Sequence, residues 1–139
     1  MQDDAAPVLR LAGLSLRVSG PPSGTMADED WLDACARVEA PGAVVEARGN
    51  FLRLAELADL HHDLVAMHRD LRGSATLHCI EAMLRIDMTC GRRGDIAMTV
   101  EITPDTATQA HRFEFTLDQT ELGPAVAALR RMLGPLARR

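Results

Sequence analysis

Four of the five histidines, three cysteines and one acidic triplet are the residues of this chain whose types and spacing could do chemistry. His61 and His68 stand two helical turns apart, which puts their Cα atoms ~10 Å from each other and too far to share one ion on a straight helix. His62 projects to the opposite side. The spacing predicts histidines at the edge of an apolar stripe and no metal site. His78 and Cys79 are neighbours, and neighbours in a strand point to opposite faces, so His78 cannot activate the Cys79 thiol directly. Cys35, Cys79 and Cys90 have neither metal-finger nor redox spacing, and an odd number leaves one out of any disulfide scheme. Free buried thiols are expected. Asp28, Glu29 and Asp30 form a triplet without the twelve-residue ligand pattern of a calcium loop. No nucleophile elbow, zinc-protease helix or phosphate loop occurs anywhere in the chain. No catalytic residue, cofactor or metal is therefore predicted. The triplet reads instead as a charged contact for a basic partner, and Trp31 beside it is a residue type enriched at interface centres.

The elements that must position these residues follow from hydrophobic periods. Residues 8–18 read as a strand, and residues 19–30, broken by glycines and prolines, as a loop. Trp31 to Ala40 alternates, with Leu32, Ala34, Ala36 and Val38 on one face. Pro41-Gly42 predicts a turn and Ala43 to Arg48 the returning strand. Gly49-Asn50 reads as a break. A helix is expected from about Arg53 to Arg72, with Leu57, Leu60, Leu64, Met67 and Leu71 on one stripe and Gly73 as its C-cap glycine. Residues 74–90 form a strand with a bend near Glu81-Ala82, and Gly91-Arg-Arg-Gly94 a hairpin. Ile96 to Ile102 and Arg112 to Leu117 are further alternating strands. The last of these places Phe113, Phe115 and Leu117 in the core. Asp118 with Glu121 predicts a capped start to a final helix, about Thr120 to Leu136, with Pro124 in its first turn and Pro135 fraying its end. No internal repeat is visible.

About six strands in hairpin-linked runs and two helices predict an α+β fold. One antiparallel sheet would carry both helices on one face. Arg85, Asp87, Thr99, Glu101, Arg112, Glu114 and Thr116 would share the wet face. At 139 residues the chain is expected to be a single domain, with residues 1–7 as a disordered tail. The opening Met1-Gln-Asp-Asp-Ala-Ala-Pro7 has no basic region and no long apolar run, which predicts a chain retained in the cytoplasm. The net charge of -5 disfavours nucleic acid and suits a basic protein partner. All 15 basic residues are Arg, a sign of codon usage more than of function.

The ordered set of motifs carries a resemblance. It runs from Trp31-Leu32 and a Pro-Gly turn to Phe51-Leu52, Glu56-Leu57 and a leucine-striped helix that ends at Leu71-Arg-Gly73. Glu81, Leu84 and Gly94-Asp-Ile96 follow. Phe113-x-Phe115-x-x-Asp118-Gln-Thr120-x-Leu122 closes it. In this order the chain resembles the WapI-type family of bacterial immunity proteins over roughly residues 10–134. The resemblance implies a non-enzymatic cytoplasmic protein that binds a cognate toxin domain, and it brings no catalytic motif. The residues alone leave two other readings: an interaction module with a different partner, and a small enzyme whose site is assembled only in the fold. For partner contact the expected residues are Asp28, Glu29 and Asp30 first, then Glu101 and Glu114.

Overall fold

Four strands and a helix, then four strands and a helix: the chain builds one arrangement twice. The computed structural model describes residues 6–20 and 30–137. Its first half runs β1 (Leu9–Leu11), β2 (Leu14–Gly20), β3 (Trp31–Ala40), β4 (Ala43–Arg53) and α1 (Leu54–Asp70). The second runs β5 (Gly73–His78), β6 (Leu84–Cys90), β7 (Ile96–Ile102), β8 (Arg112–Leu117), one 3₁₀ turn (Gln119–Glu121) and α2 (Leu122–Ala137). Each set of strands is an antiparallel meander, ordered β1-β2-β3-β4 and β5-β6-β7-β8. The α+β class, the antiparallel pairing and the two helices are as the sequence predicts. The strands number eight rather than about six, and they divide into two sheets. The helices pack on each other, α1 also along β5 and α2 along β1. Among the described residues every buried side chain is apolar.

Several boundaries move for local reasons. The expected strand over residues 8–18 is a hairpin, with Leu11 opposite Leu14 across Ala12-Gly13. Ala12 takes a left-handed φ of 53° there. Gly13 has no room for a side chain, because a Cβ would collide with the Glu39 carbonyl oxygen. Pro41-Gly42 turns as expected, with φ 80° at Gly42. Gly49-Asn50 does not end β4; it is a bulge, where the register against β3 slips between Leu32 and Ala34 and the strand continues to bury Phe51 and Leu52. The left-handed residue that closes α1 is Leu71, whose N–H reaches the Met67 carbonyl at 2.7 Å, and Gly73 begins β5. Leu71 therefore leaves the stripe and is 41% exposed. Helix α2 runs through Pro135 to Ala137. Leu117 is buried, but Phe113 and Phe115 are only half-buried, because β8 is an edge strand. Their rings stack at 6.4 Å. The predicted tail falls partly on residues 1–5, outside the described residues.

Two glutamates tie the halves together. Glu121 accepts the Asp118 N–H at 3.2 Å with one oxygen and the Ala12 N–H, in the first half's β1–β2 turn, at 3.2 Å with the other. Glu56 accepts the Arg53 N–H at 2.9 Å and the Ile80 N–H, in the second half's β5–β6 turn, at 3.2 Å. Each helix thus uses one carboxylate to close its own N-terminus and to hold the first turn of the opposite half. Those turns are alike in a further respect: Ala12 and Ala82 are both left-handed, at φ 53° and 61°. Within each sheet the end of the third strand repeats the pattern. Glu39 N–H bonds the Gly13 carbonyl and Thr103 N–H the Met83 carbonyl, both at 2.9 Å.

Helix α1, which packs on α2, carries a half-buried histidine, His61. The Nε2 of His61 is buried and has no hydrogen-bond partner among the described residues. Burial lowers the pKa of His61 below 6.5, and the charge of Arg130 on α2, then that of His62, lower it further.

Two predictions follow from this packing. Glu56→Ala and Glu121→Ala each leave two N–H groups without their acceptor. Each should lower the stability measured by urea unfolding by roughly 0.5–2 kcal/mol; a loss no larger than that of an exposed Glu81→Ala control would show the clamps to be inert. His61 favours its neutral form in the native state, so the unfolded chain binds more protons below pH 6.5. Its stabilising effect is present above that pH and is lost as pH falls through the native pKa. The urea midpoint should drop between pH 7.5 and 5.5, and His61→Gln should flatten that drop; equal slopes in the two proteins would exclude His61 as its source.

Candidate functional site

The register of the second sheet lays its polar side chains out in rows. His78, Arg85, Glu101 and Arg112 lie opposite one another across β5, β6, β7 and β8. Thr76, Asp87, Thr99 and Glu114 form the next row, and Ser74, Thr89, Ala97 and Thr116 the third. All are on the face away from the core, as strand alternation requires. This is the wet face expected from sequence, and β5 adds His78 to it.

Ion pairs on this face run mostly along strands. Asp87 accepts from Arg85 at 3.2 Å and meets His78 Nε2 at 2.7 Å. Burial raises the Asp87 carboxyl, but its bonds from His78 and Arg85 outweigh that and hold it below its usual range. Arg112 donates to Glu114 at 3.3 Å. Glu101 stands opposite both Arg85 and Arg112, yet each arginine is turned to the carboxylate of its own strand. Beside Glu101 lies a shallow depression of about 260 Å³ lined by Glu101, Thr103, Ala110, His111 and Arg112. The face is therefore a lattice of answered charges around one carboxylate that forms no ion pair among the described residues.

The first sheet's outer face has a different chemistry. Arg10, Ser15, Arg37 and Glu46 form one row and Arg17, Cys35 and Arg48 another. Arg37 bonds Glu39 at 2.8 Å and Arg48 bonds Glu46 at 3.1 Å. Cys35 sits half-buried between two arginines, and burial, then the charge of Glu46, raise its pKa. All three cysteines are free. Cys79 is buried, and burial, then the neighbouring Glu56 carboxylate, push it up to about 12, so it is a thiol at neutral pH and no nucleophile. His78, its neighbour, is exposed on the opposite face, as expected.

Of the acidic triplet, Asp28 and Glu29 lie outside the described residues. Asp30 is engaged with the start of α1. Its main-chain carbonyl accepts the Leu54 N–H at 2.7 Å, and its carboxylate accepts from Arg53 Nε at 2.8 Å and from the Ala55 N–H at 3.4 Å. Burial alone would raise its carboxyl; the Arg53 and Ala55 bonds prevail and lower it. The Arg53 guanidinium in turn lies 5.5 Å from the centre of the Trp31 ring. Trp31 faces Arg53 across β3 and β4 and is half-buried. His62 and His68 are exposed on α1. The His68 ring lies against α2, where a side chain at Gly123 would touch it. Among the described residues no three His, Cys, Asp or Glu side chains gather as metal ligands.

The sequence expectation put Glu101 and Glu114 on the wet face, where they lie, and gave Glu56 no role. A signal was available: Leu52-Arg-Leu-Ala-Glu56-Leu57 recurs as Leu117-Asp-Gln-Thr-Glu121-Leu122 at the entry to each helix.

Residues 10–136 match the model of the immunity protein WapI-like family. No curated protein matches the chain in sequence. Among solved structures, the crystal structure of WHY3 from Arabidopsis thaliana aligns with a TM-score of 0.51 at 11% identity, covering 96% of this chain and 88% of that one. That of the plant transcriptional regulator PBF-2 aligns at 0.49 and 10% identity, covering 96% and 82%. At such identity the WHY3 likeness is one of fold alone. No helix among the described residues is long and apolar enough to cross a membrane.

Proposed function

The chain belongs to the immunity protein WapI-like family, and from that premise we propose that it binds a cognate toxin domain and neutralises it by occupying its surface rather than by turnover. The family match over residues 10–136 is the observation that carries this reading. The arrangement of polar residues supports it. The chemistry-bearing side chains are dispersed: His61 is half-buried on α1, Cys79 is a buried thiol, and Cys35 is on the outer face of the first sheet. The outer face of the second sheet is instead a broad field of paired charges, of the kind that sets register and selects a partner. With the halves clamped by Glu56 and Glu121, the chain would present that field as a single domain.

The partner's chemistry follows from charge. A chain of net charge -5 draws in a basic domain, such as a nuclease, by long-range attraction. Glu101 and Glu114 would meet it on the second sheet, and Asp28 and Glu29 in the segment ahead of Trp31. Asp30 would contribute by holding that segment to α1. Such a protein acts in the cytoplasm, where an incoming toxin finds its target, and needs no cofactor.

Two measurements test the proposal. Cells expressing the toxin domain encoded beside this gene should survive when this protein is co-expressed and die when it is not; equal killing in both would end the proposal. With purified proteins, Glu101→Arg together with Glu114→Arg should slow association about tenfold at low salt and less at high salt. Association rates unchanged by that reversal would remove the second sheet's outer face from the interface.

A further inference from the structure

The two halves are joined by a short connection in a disfavoured conformation. Helix α1 ends at Asp70 and β5 begins at Gly73, so only Leu71 and Arg72 lie between them. Leu71 is left-handed at φ 54°, and Gly73 has φ 95°. An L-residue resists the left-handed region, where its Cβ crowds the next carbonyl. Burial does not compensate Leu71, which stands exposed after the helix stripe ends. One main-chain bond holds its bend, from its N–H to the Met67 carbonyl at 2.7 Å.

Few bonds cross from one half to the other. Every strand pairing is internal to one sheet, and each sheet belongs to one half. Among the described residues two hydrogen bonds cross: Ile80 N–H to Glu56 and Ala12 N–H to Glu121. The ion pairs of the described residues are all within one half. The other contacts across the divide are packing, chiefly of α1 on β5 and α2 and of α2 on β1. None of this requires both halves to come from the same molecule. A second copy offers the same turns, the same carboxylates and the same buried stripes.

We infer that the chain exchanges halves with a second copy of itself, giving a dimer in which the first half of each molecule packs on the second half of the other. Leu71-Arg72-Gly73 is the hinge. A right-handed Leu71 would carry α1 onward and direct β5 away from its own first half. The clamps and the helix packing recur in the exchanged dimer and so cancel between the two states. The balance then rests on the hinge and on protein concentration. Short hinges under strain favour exchange, and here the strain is released twice per dimer. A second copy is the partner because it alone carries both members of each clamp. The outer rows of each sheet lie within one half, so exchange leaves them intact and the dimer presents each face twice. The inference stands independently of toxin binding.

Refolding tests it. The full chain is unfolded in urea, refolded at low and at high protein concentration, and sized by gel filtration with light scattering. Monomer is expected at low concentration and a dimer fraction at high. A side chain at Gly73 would meet nothing within 4 Å, so Gly73→Ala strains only the closed backbone. It should raise the dimer association constant at least about tenfold, and Leu71→Gly, which removes strain, should lower it at least about tenfold. Tagged and untagged chains should form hybrid dimers when unfolded together and not when mixed already folded. Hybrids that form between folded chains would indicate an ordinary surface dimer and overturn the exchange. So would the absence of a dimer from every refolded chain, or a Leu71→Gly dimer fraction equal to that of wild type. If Gly73→Ala does not refold, Leu71→Gly against wild type decides.

Discussion

A carboxylate has two oxygens, and in this fold each of two glutamates divides them between its own helix and the opposite half. That division is the constraint on which the rest of the structure depends. A helix N-terminus exposes N–H groups that need acceptors, and a tight turn between strands exposes more. Glu56 and Glu121 answer one of each at once, at distances between 2.9 and 3.2 Å. Because the second donor always lies in the opposite half, neither sheet-and-helix unit completes its own bonding. The left-handed alanines at both turns show what this arrangement costs, since an L-residue in that conformation gives up roughly 1–2 kcal/mol. A left-handed turn residue is sustained only where surrounding contacts over-determine it. Here the carboxylates and the third-strand bonds of Glu39 and Thr103 supply them.

The two halves solve the helix start differently, and the difference exposes the surface. At the second helix Asp118 caps locally, accepting the Thr120 N–H at 3.3 Å. Arginine has no acceptor to offer, so at the first helix the oxygen comes from Asp30, which reaches the corresponding Ala55 N–H from the position just ahead of β3. Supplying the cap from a distance frees position 53 for a long cation. That cation then spans Asp30 and the Trp31 ring. A local cap would have kept a short side chain there and left the indole uncovered. The arginine over Trp31 at the start of α1 is therefore a consequence of where the cap comes from.

The periods of the sequence predicted most of this architecture, and the misses have physical reasons. Leu9 and Leu11 stand at odd positions and Leu14 and Leu16 at even ones. One strand cannot bury both sets on one face. A two-residue hairpin can, because the residues flanking its turn point to the same side. That change of parity at Ala12-Gly13 is the sign of a turn that lacks the usual Asn-Gly or Asp-Gly chemistry. Gly49-Asn50 looked like an ending because a bulge and a break use the same residues. Two sheets looked like one because alternation reports that a face is buried and says nothing of which strands neighbour each other. Glu101 and Glu114 were legible because alternation alone puts them on the wet side. The bond from Ile80 to Glu56 was not, because it is a contact between halves that no local pattern encodes.

The same plan built twice gives two outer faces of unlike chemistry, and this bears on how such a protein can change partners. The strand registers, the buried leucines and the carboxylate clamps all face inward or lie at the ends of strands. The rows on the outer faces touch none of them. On the first sheet those rows carry Arg10, Arg17, Arg37 and Arg48; on the second they carry Asp87, Glu101 and Glu114 among Arg85 and Arg112. Exposed pairs of this kind contribute little to stability, typically under ~1 kcal/mol each. Their signs can be rewritten without disturbing the core. The carboxylate clamps are under the opposite constraint: Glu56 and Glu121 can change only at the expense of both halves. The outer rows can thus vary while the fold that carries them stays fixed.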